Sequence, residues 1–254
     1  MEPSNPASNT TSTLTRSKIA SDPQEYLSAR ANLLHLEKEA TRQLQAIAAA
    51  RRASLPLLHI PNASHFKFDT EEGTEVSLGD LFHNRKQLIL YHFMLAPGEK
   101  EGCIGCTFCM DHIPPLQHLH SRDTSFVVAA TAPVEEISVY KKRMGWKFPV
   151  VSSMKTHQLW NEMEQNGEVV AWKPGNGYFG LNVFVKGGDQ NGIGEGTQDG
   201  EVYLSYGTSD RGMEAILGTY ALLDMTPLGR QEVGNGMGLF KRVDEYDENV
   251  DGRE

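Results

Sequence analysis

All three cysteines of this 254-residue chain fall within seven positions, in the run Glu101-Gly102-Cys103-Ile104-Gly105-Cys106-Thr107-Phe108-Cys109. The spacing puts Cys103 and Cys106 about one helical turn apart, near enough for a disulfide when the first stands at or before a helix N-terminus. There the free N–H groups and the positive end of the helix dipole favour a thiolate, which is the species that attacks. Cys103 is therefore the expected nucleophile. Cys106, deeper in the helix, is expected to resolve a mixed disulfide formed on Cys103. Cys109 extends the pattern to C-x-x-C-x-x-C, and at about 100° per residue the three side chains fan over about 120° of one face, so all can share a site.

A second chemistry fits the same residues. Three thiolates form a soft donor set for copper(I) or zinc(II), with His112, His92 or Met110 as a further ligand, although no second C-x-x-C or H-x-x-x-H lies elsewhere to close a structural zinc site. The plainest alternative is that the cysteines are small hydrophobes in a buried helix. His92 ends an otherwise apolar strand beside the cysteine loop, so it must be hydrogen-bonded or functional, and it is expected to modulate the thiols together with Cys109. His112 and His118 read as surface or cap residues. In the charged run Lys141-Lys142-Arg143, Arg143 is a candidate to stabilise a thiolate or an anionic substrate, and nearby Trp146 to line a substrate pocket.

The elements that must position these groups follow from periodicity. Residues 87–94 (QLILYHFM) are apolar apart from Gln87 and His92, as in a central strand covered on both faces. Ala96-Pro97-Gly98 ends that strand, and the cysteines open a helix reaching about His120, which Pro114 and Pro115 should kink or restart. A buried strand over 124–131, a helix after Pro133 and a short strand over 148–152 come next, followed by a polar stretch. Segments 181–185 and 202–206 then flank a Gly-rich loop, reading as an antiparallel pair, and a last helix covers about 212–224. No strand feeds that loop into a helix and no G-K-S/T occurs, so Gly187, Gly188, Gly192, Gly194 and Gly196 read as linker.

Before the main sheet, the spacing predicts a long helix over 23–53, free of Pro and Gly, with Leu27, Ala31, Leu34, Ala40, Leu44 and Ile47 on one stripe. A hairpin around 65–73 and a helical turn over 77–82 follow. The Ser/Thr/Asn-rich 1–22 reads as a disordered leader and the acidic 233–254 as a disordered tail, leaving 54–232 as one α/β domain.

Three stretches carry a resemblance. Tyr91-His92-Phe93-Met94, the Glu101–Cys106 run, and Tyr140-Lys141-Lys142-Arg143-Met144-Gly145-Trp146-Lys147-Phe148-Pro149-Val150-Val151 resemble the thioredoxin-like family catalogued as domain of unknown function 899. Gly218-Thr219-Tyr220 and Thr226-Pro227-Leu228-Gly229-Arg230 fit the same family. The resemblance, over about 25–232, implies a thioredoxin fold, a central mixed sheet flanked by helices, with the long helix and hairpin added. It also implies a dithiol-disulfide oxidoreductase whose cysteine pair falls on Cys103 and Cys106. Cys109 stands where the family pattern leads one to expect an aromatic residue. Gly102 replaces the Trp of thioredoxin itself, and residues 177–180 carry no counterpart of its cis-proline. The P-x-x-x-T/S-x-x-C loop of peroxiredoxins is absent too, since Pro97 lies six residues before Cys103 with no Thr or Ser between.

Composition narrows the partners. A formal net charge of −9 argues against a broad nucleic-acid or anionic-lipid footprint, and no stretch approaches the roughly 18 apolar residues that span a bilayer. The expectation is a cytoplasmic thiol-dependent oxidoreductase acting on a disulfide, a peroxide or an electrophilic small molecule. It would need no cofactor and would draw on a thiol reductant; the alternative is a copper-binding protein or copper-dependent enzyme. A non-catalytic scaffold that binds partners through the long helix is a third reading, and that helix also suggests a homodimer.

Overall fold

The computed structural model describes residues 19–174, 179–188, 196–232 and 240–246. Most of the expected leader, the glycines at 192 and 194, residues 177 and 178, and most of the expected acidic tail lie outside these. The chain divides into two units, Met1–Ser54 and Leu55–Glu254. The first holds helix α1 (Pro23–Ser54), none of whose residues is buried. Pro23 takes the first helical position, where its missing N–H costs nothing, and Asp22 Oδ1 accepts the Glu25 N–H at 2.9 Å. Arg51 and Arg52 sit in the last turn, against the negative end of the helix. Among the described residues no helix is long and apolar enough to cross a membrane.

The second unit is built on one eight-stranded sheet. Its strands are β1 (Leu58–His59), β2 (Lys67–Thr70), β3 (Glu75–Ser77), β4 (Gln87–His92), β5 (Thr124–Ala130), β6 (Val150–Ser152), β7 (Gly180–Lys186) and β8 (Val202–Thr208), in the spatial order β1-β8-β7-β4-β5-β6-β2-β3. β4, β5 and β6 run parallel, while β7 joins the other side of β4 antiparallel and β8 folds back on β7. The four central strands β8-β7-β4-β5, with helices in the crossovers, make the thioredoxin-like mixed sheet. The β2–β3 hairpin does not stand apart: β2 pairs with β6 and extends the sheet. Its turn needs Gly73, at φ +72°.

The helices are α2 (Ile104–Met110), α3 (Gln117–His120), α4 (Val134–Met144), α5 (Met154–Gln165) and α6 (Gly218–Leu223). Strand alternation sends Leu88 and Leu90 to one layer of core with Phe68, Val127, Trp160 and Phe184. Tyr91 goes to the opposite layer, with Phe126, Val128 and the buried face of α2. Because both faces are covered, β4 and β5 read as continuous apolar runs.

Several boundaries differ from the expectation. The helix expected to run from the cysteines to His120 is two pieces, α2 and α3, because Pro114 and Pro115 have no N–H to carry the helical bonds past Ile113. The last helix is likewise split, into a 3₁₀ turn Asp210–Ile216 and α6, with Leu217 at φ −89°, ψ 84° between them. β1, between Pro56 and Pro61, carries no clear pattern. α5 lies within the stretch expected to be merely polar, yet Thr156, Leu159, Trp160 and Met163 stand at i, i+3, i+4 and i+7 and face the core, a helical stripe masked by the polar residues around it. Finally, residues 240–246, inside the tail expected to be disordered, are packed: the Phe240 ring stacks on Phe108 at 4.1 Å.

The layer away from α2 holds a buried polar group. His92 is 2% exposed, between Trp160 and Trp172. The Asn182 amide donates to Trp172 O at 2.6 Å and to His92 Nε2 at 2.9 Å, so Nε2 is the acceptor and the ring proton sits on Nδ1. Burial pushes the His92 imidazole down to about 3, and burial likewise takes neighbouring His157 down to about 4. The unfolded chain binds a proton at each site near pH 6.5 that the folded chain refuses, so stability is full above that pH and falls as pH drops towards the folded values. We predict that thermal unfolding followed between pH 6.5 and 5 shows this loss. A His92→Gln variant should reduce the slope by nearly one proton, about 1.4 kcal/mol per pH unit.

Candidate active site

The chain leaves β4, turns at Gly98 (φ +82°) and returns so that Cys103 N–H donates to Met94 O at 3.0 Å. This close return depends on Gly102. A Cβ there would collide with Cε1 and Cζ of Phe93 and lie 3.1 Å from Tyr140 Cε1, so a larger residue fits only if the loop or the Phe93 ring moves. Cys103 then occupies the N-cap position of α2, with φ −51° and ψ 132°, and its carbonyl accepts the Thr107 N–H at 2.9 Å.

All three cysteines are free thiols, Cys103 half-buried and Cys106 and Cys109 buried. The Cys106 thiol donates to Cys103 sulfur, and the N–H groups of Cys106 and Gly105 point at the same atom. Together they outweigh burial and bring Cys103 down to about 5, with Arg242 adding a smaller attraction. The same contact, joined by burial, pushes Cys106 far above the ordinary thiol range. Burial, helped by the charge on Cys103 and opposed by the Tyr91 hydroxyl, pushes Cys109 up to about 11. At neutral pH the cluster is one thiolate, Cys103, backed by two thiols.

Arg242, far along the chain from the cysteines, reaches their loop. Its Nη2 donates to Gly102 O at 2.8 Å and its Nε to Tyr140 Oη at 2.9 Å. Thr107 Oγ1 donates to Cys103 O at 2.9 Å, so at the 2.8 Å Tyr140–Thr107 contact Tyr140 must be the donor. The result is a directed chain, Arg242 to Tyr140 to Thr107 to the backbone of Cys103. Arg143, expected at the thiolate or substrate, instead binds Asp244 through two nitrogens at 2.7 and 3.2 Å, and also Glu101 and Glu245. It holds down the segment that carries Arg242. A charged run near the cysteines was the available signal for Arg143; nothing in the local sequence marks Arg242.

The structure does not bring His92 to the thiols. The adjacent strand residue, Tyr91, faces them instead, and His92 faces the other layer, which corrects its expected modulating role. His112 is also occupied elsewhere. Its Nε2 accepts the Thr219 N–H at 3.1 Å, leaving Nδ1–H to donate to Phe108 O at 2.6 Å. The copper set of Cys103, Cys106, Cys109 and His112 is therefore not assembled. Among the described residues no group of three or more His, Cys, Asp or Glu side chains is placed to hold a metal ion. Trp146 donates to Asp111 Oδ1 at 2.8 Å and forms, with Asp111, Met110 and Phe148, part of the wall of a cavity of about 500 Å³ at the far end of α2.

These contacts fix an order of effects on Cys103. Its alkylation by iodoacetamide, followed by mass spectrometry against pH, should be half-maximal at about 5 and level above neutrality. Cys106→Ala removes the largest contribution and should raise that midpoint more than Arg242→Met, which removes the smallest. The reverse order would contradict this account.

No curated protein matches the chain. Among solved structures it is similar to the bacterioferritin comigratory protein of Xanthomonas campestris, at 15% identity and a TM-score of 0.40 over 64% of this chain and 94% of that one. It is also similar to the peroxidoxin BcpB of Mycobacterium tuberculosis, at 17% identity and a TM-score of 0.38 over 64% and 96%. At these values neither likeness bears on activity. The whole of the second unit's described sheet and the cysteine site fall within residues 15–246, which match one family model, and the chain belongs to that family, described as bacterial protein of unknown function (DUF899).

Proposed function

We propose that the protein is a thiol-dependent oxidoreductase that works through a Cys103–Cys106 dithiol. The observation that carries this reading is the contact between the two sulfurs at the head of α2. It lowers Cys103 to about 5 while keeping Cys106 protonated. A thiolate that is half-exposed and a thiol that is buried behind it are the two partners of thiol–disulfide exchange.

With a disulfide substrate RS–SR′, Cys103 thiolate attacks one sulfur, forming Cys103–S–SR and releasing R′S⁻. Cys106 then loses its proton and attacks Cys103 Sγ, giving the Cys103–Cys106 disulfide and RS⁻. The substrate gains two electrons and the protein loses two. With a peroxide ROOH, Cys103 takes the terminal oxygen and releases an alcohol, or water from hydrogen peroxide. Cys106 then displaces that oxygen as water, and the same disulfide results. Either cycle closes when a thiol reductant restores both sulfurs. Cytoplasmic residence, where such reductants are supplied, suits this cycle.

The test is a thiol count with peptide mapping on the full chain, after exposing the reduced protein to glutathione disulfide and, separately, to hydrogen peroxide. We expect three free thiols to fall to one, a cross-link joining Cys103 to Cys106, and Cys109 still free. In Cys106→Ser the reaction with glutathione disulfide should stop at a glutathione adduct on Cys103. A cross-link through Cys109, or three thiols surviving both oxidants, would defeat the proposal.

A further inference from the structure

Tyr91 is fully buried on β4, and its hydroxyl has no hydrogen-bond partner among the described residues. A phenylalanine would fill the same space without leaving a polar atom unsatisfied in the core. The neighbours of that hydroxyl are the sulfurs of Cys106 and Cys109. Its orientation is fixed by the sheet. Tyr91 pairs with Val128 on β5 and Leu181 on β7, both on the α2 side, and α2 presents Cys106 and Cys109 to that face from successive turns.

We propose that Tyr91 is a further catalytic residue, the hydrogen-bond donor that receives the negative charge on Cys106 as that sulfur attacks Cys103. The inference rests on the dithiol reading above and assigns the second of its two steps. In the resting protein the Cys106 proton is directed at Cys103 thiolate, and the Tyr91 hydroxyl lies beside the Cys106 and Cys109 sulfurs without a formed hydrogen bond. Once Cys103 is bound in a mixed disulfide it carries no charge, and Cys106 loses that acceptor. Cys106 must then release its proton to solvent past the half-exposed Cys103 and attack as a thiolate whose own sulfur is buried. The Tyr91 O–H is the side-chain donor placed to stabilise that thiolate, with the Met94 N–H as a weaker backbone donor to the same sulfur. In the attack the Cys106–Cys103 bond forms, the Cys103–substrate sulfur bond breaks, and the electron pair leaves on the substrate thiolate.

Tyr91 donates without ionising, because burial pushes its own hydroxyl well above the ordinary phenol range. Its contact lowers Cys106, against the larger opposing effects of Cys103 and burial. Cys109 touches the same hydroxyl but is held at about 11, so it stays a thiol while Cys106 reacts. The charged group acting on both sulfurs in the resting protein is the Cys103 thiolate, and that charge is gone once Cys103 is held in a mixed disulfide.

The experiment is stopped-flow reaction of the reduced full chain with dithiobis-nitrobenzoate. Attack by Cys103 releases one aryl thiolate in a first phase, and attack by Cys106 releases the second. Tyr91→Phe removes a single oxygen from a packed ring. It should slow the second phase at least ten-fold and move its pH midpoint upward, leaving the first phase and the near-ultraviolet dichroism of the fold as in the parent. A second phase unchanged in rate and midpoint would overturn the proposal, as would an equal slowing of both phases. A second phase kept in Cys106→Ala but lost in Cys109→Ala would also overturn it, by making Cys109 the resolving thiol. If the parent protein released one aryl thiolate and never a second, the dithiol reading itself would fall, and this assignment with it.

Discussion

The site depends on a contact between a glycine and a ring. Gly102 lies against Phe93 and Tyr140 with no room for a Cβ, and this lets the chain come back to the end of β4 within eleven residues. From that return follow the Cys103 N–H bond to Met94, the start of α2, and the exposure of the Gly102 carbonyl to Arg242. A side chain at 102 would have to displace either the loop or the packed Phe93 ring, and either shift disturbs the return that places Cys103. The replacement of a bulky residue before the first cysteine by glycine is thus a packing requirement of this particular loop.

Around that contact the structure separates charge from burial. Cys103 keeps its charge at the half-exposed end of α2, where N–H groups and a thiol proton converge on it. Cys106 and Cys109, one to two turns along α2, and Tyr91 on β4 stay neutral in a core that would penalise any ion. The gradient is steep because α2 enters the sheet's covered face within a single turn: Cys106 through Met110 are all buried. Attack and resolution are thereby assigned to sulfurs in different environments, three residues apart on the same helix.

The C-terminal segment closes the site from outside. Phe240 stacks on Phe108, Arg143 grips Asp244, and Arg242 reaches Gly102 and Tyr140. Ion pairs as exposed as those of Arg143 contribute little each, but Arg242 is mostly covered and its bonds end on groups that are themselves fixed. The segment holds the backbone of the nucleophile through hydrogen bonds and touches its charge weakly, which is why its loss should matter less to the Cys103 titration than loss of Cys106.

What the amino-acid sequence determined by itself is what local pattern can carry. Apolar runs marked β4 and β5, prolines marked helix breaks, the three-residue spacing marked a thiol pair, and extended motifs marked the family and its mixed sheet. What the tertiary structure alone decided is which groups meet. β4 is covered on both faces, so its pattern gave no sign that Tyr91 rather than His92 would look at α2. Arg242 reaches the cysteine loop across 140 positions of chain, and Arg143 turns from the thiolate to the acids beside Arg242. The physical reason is common to all of these: a contact between distant segments is made by the packing of the whole sheet, and no window of neighbouring residues records it.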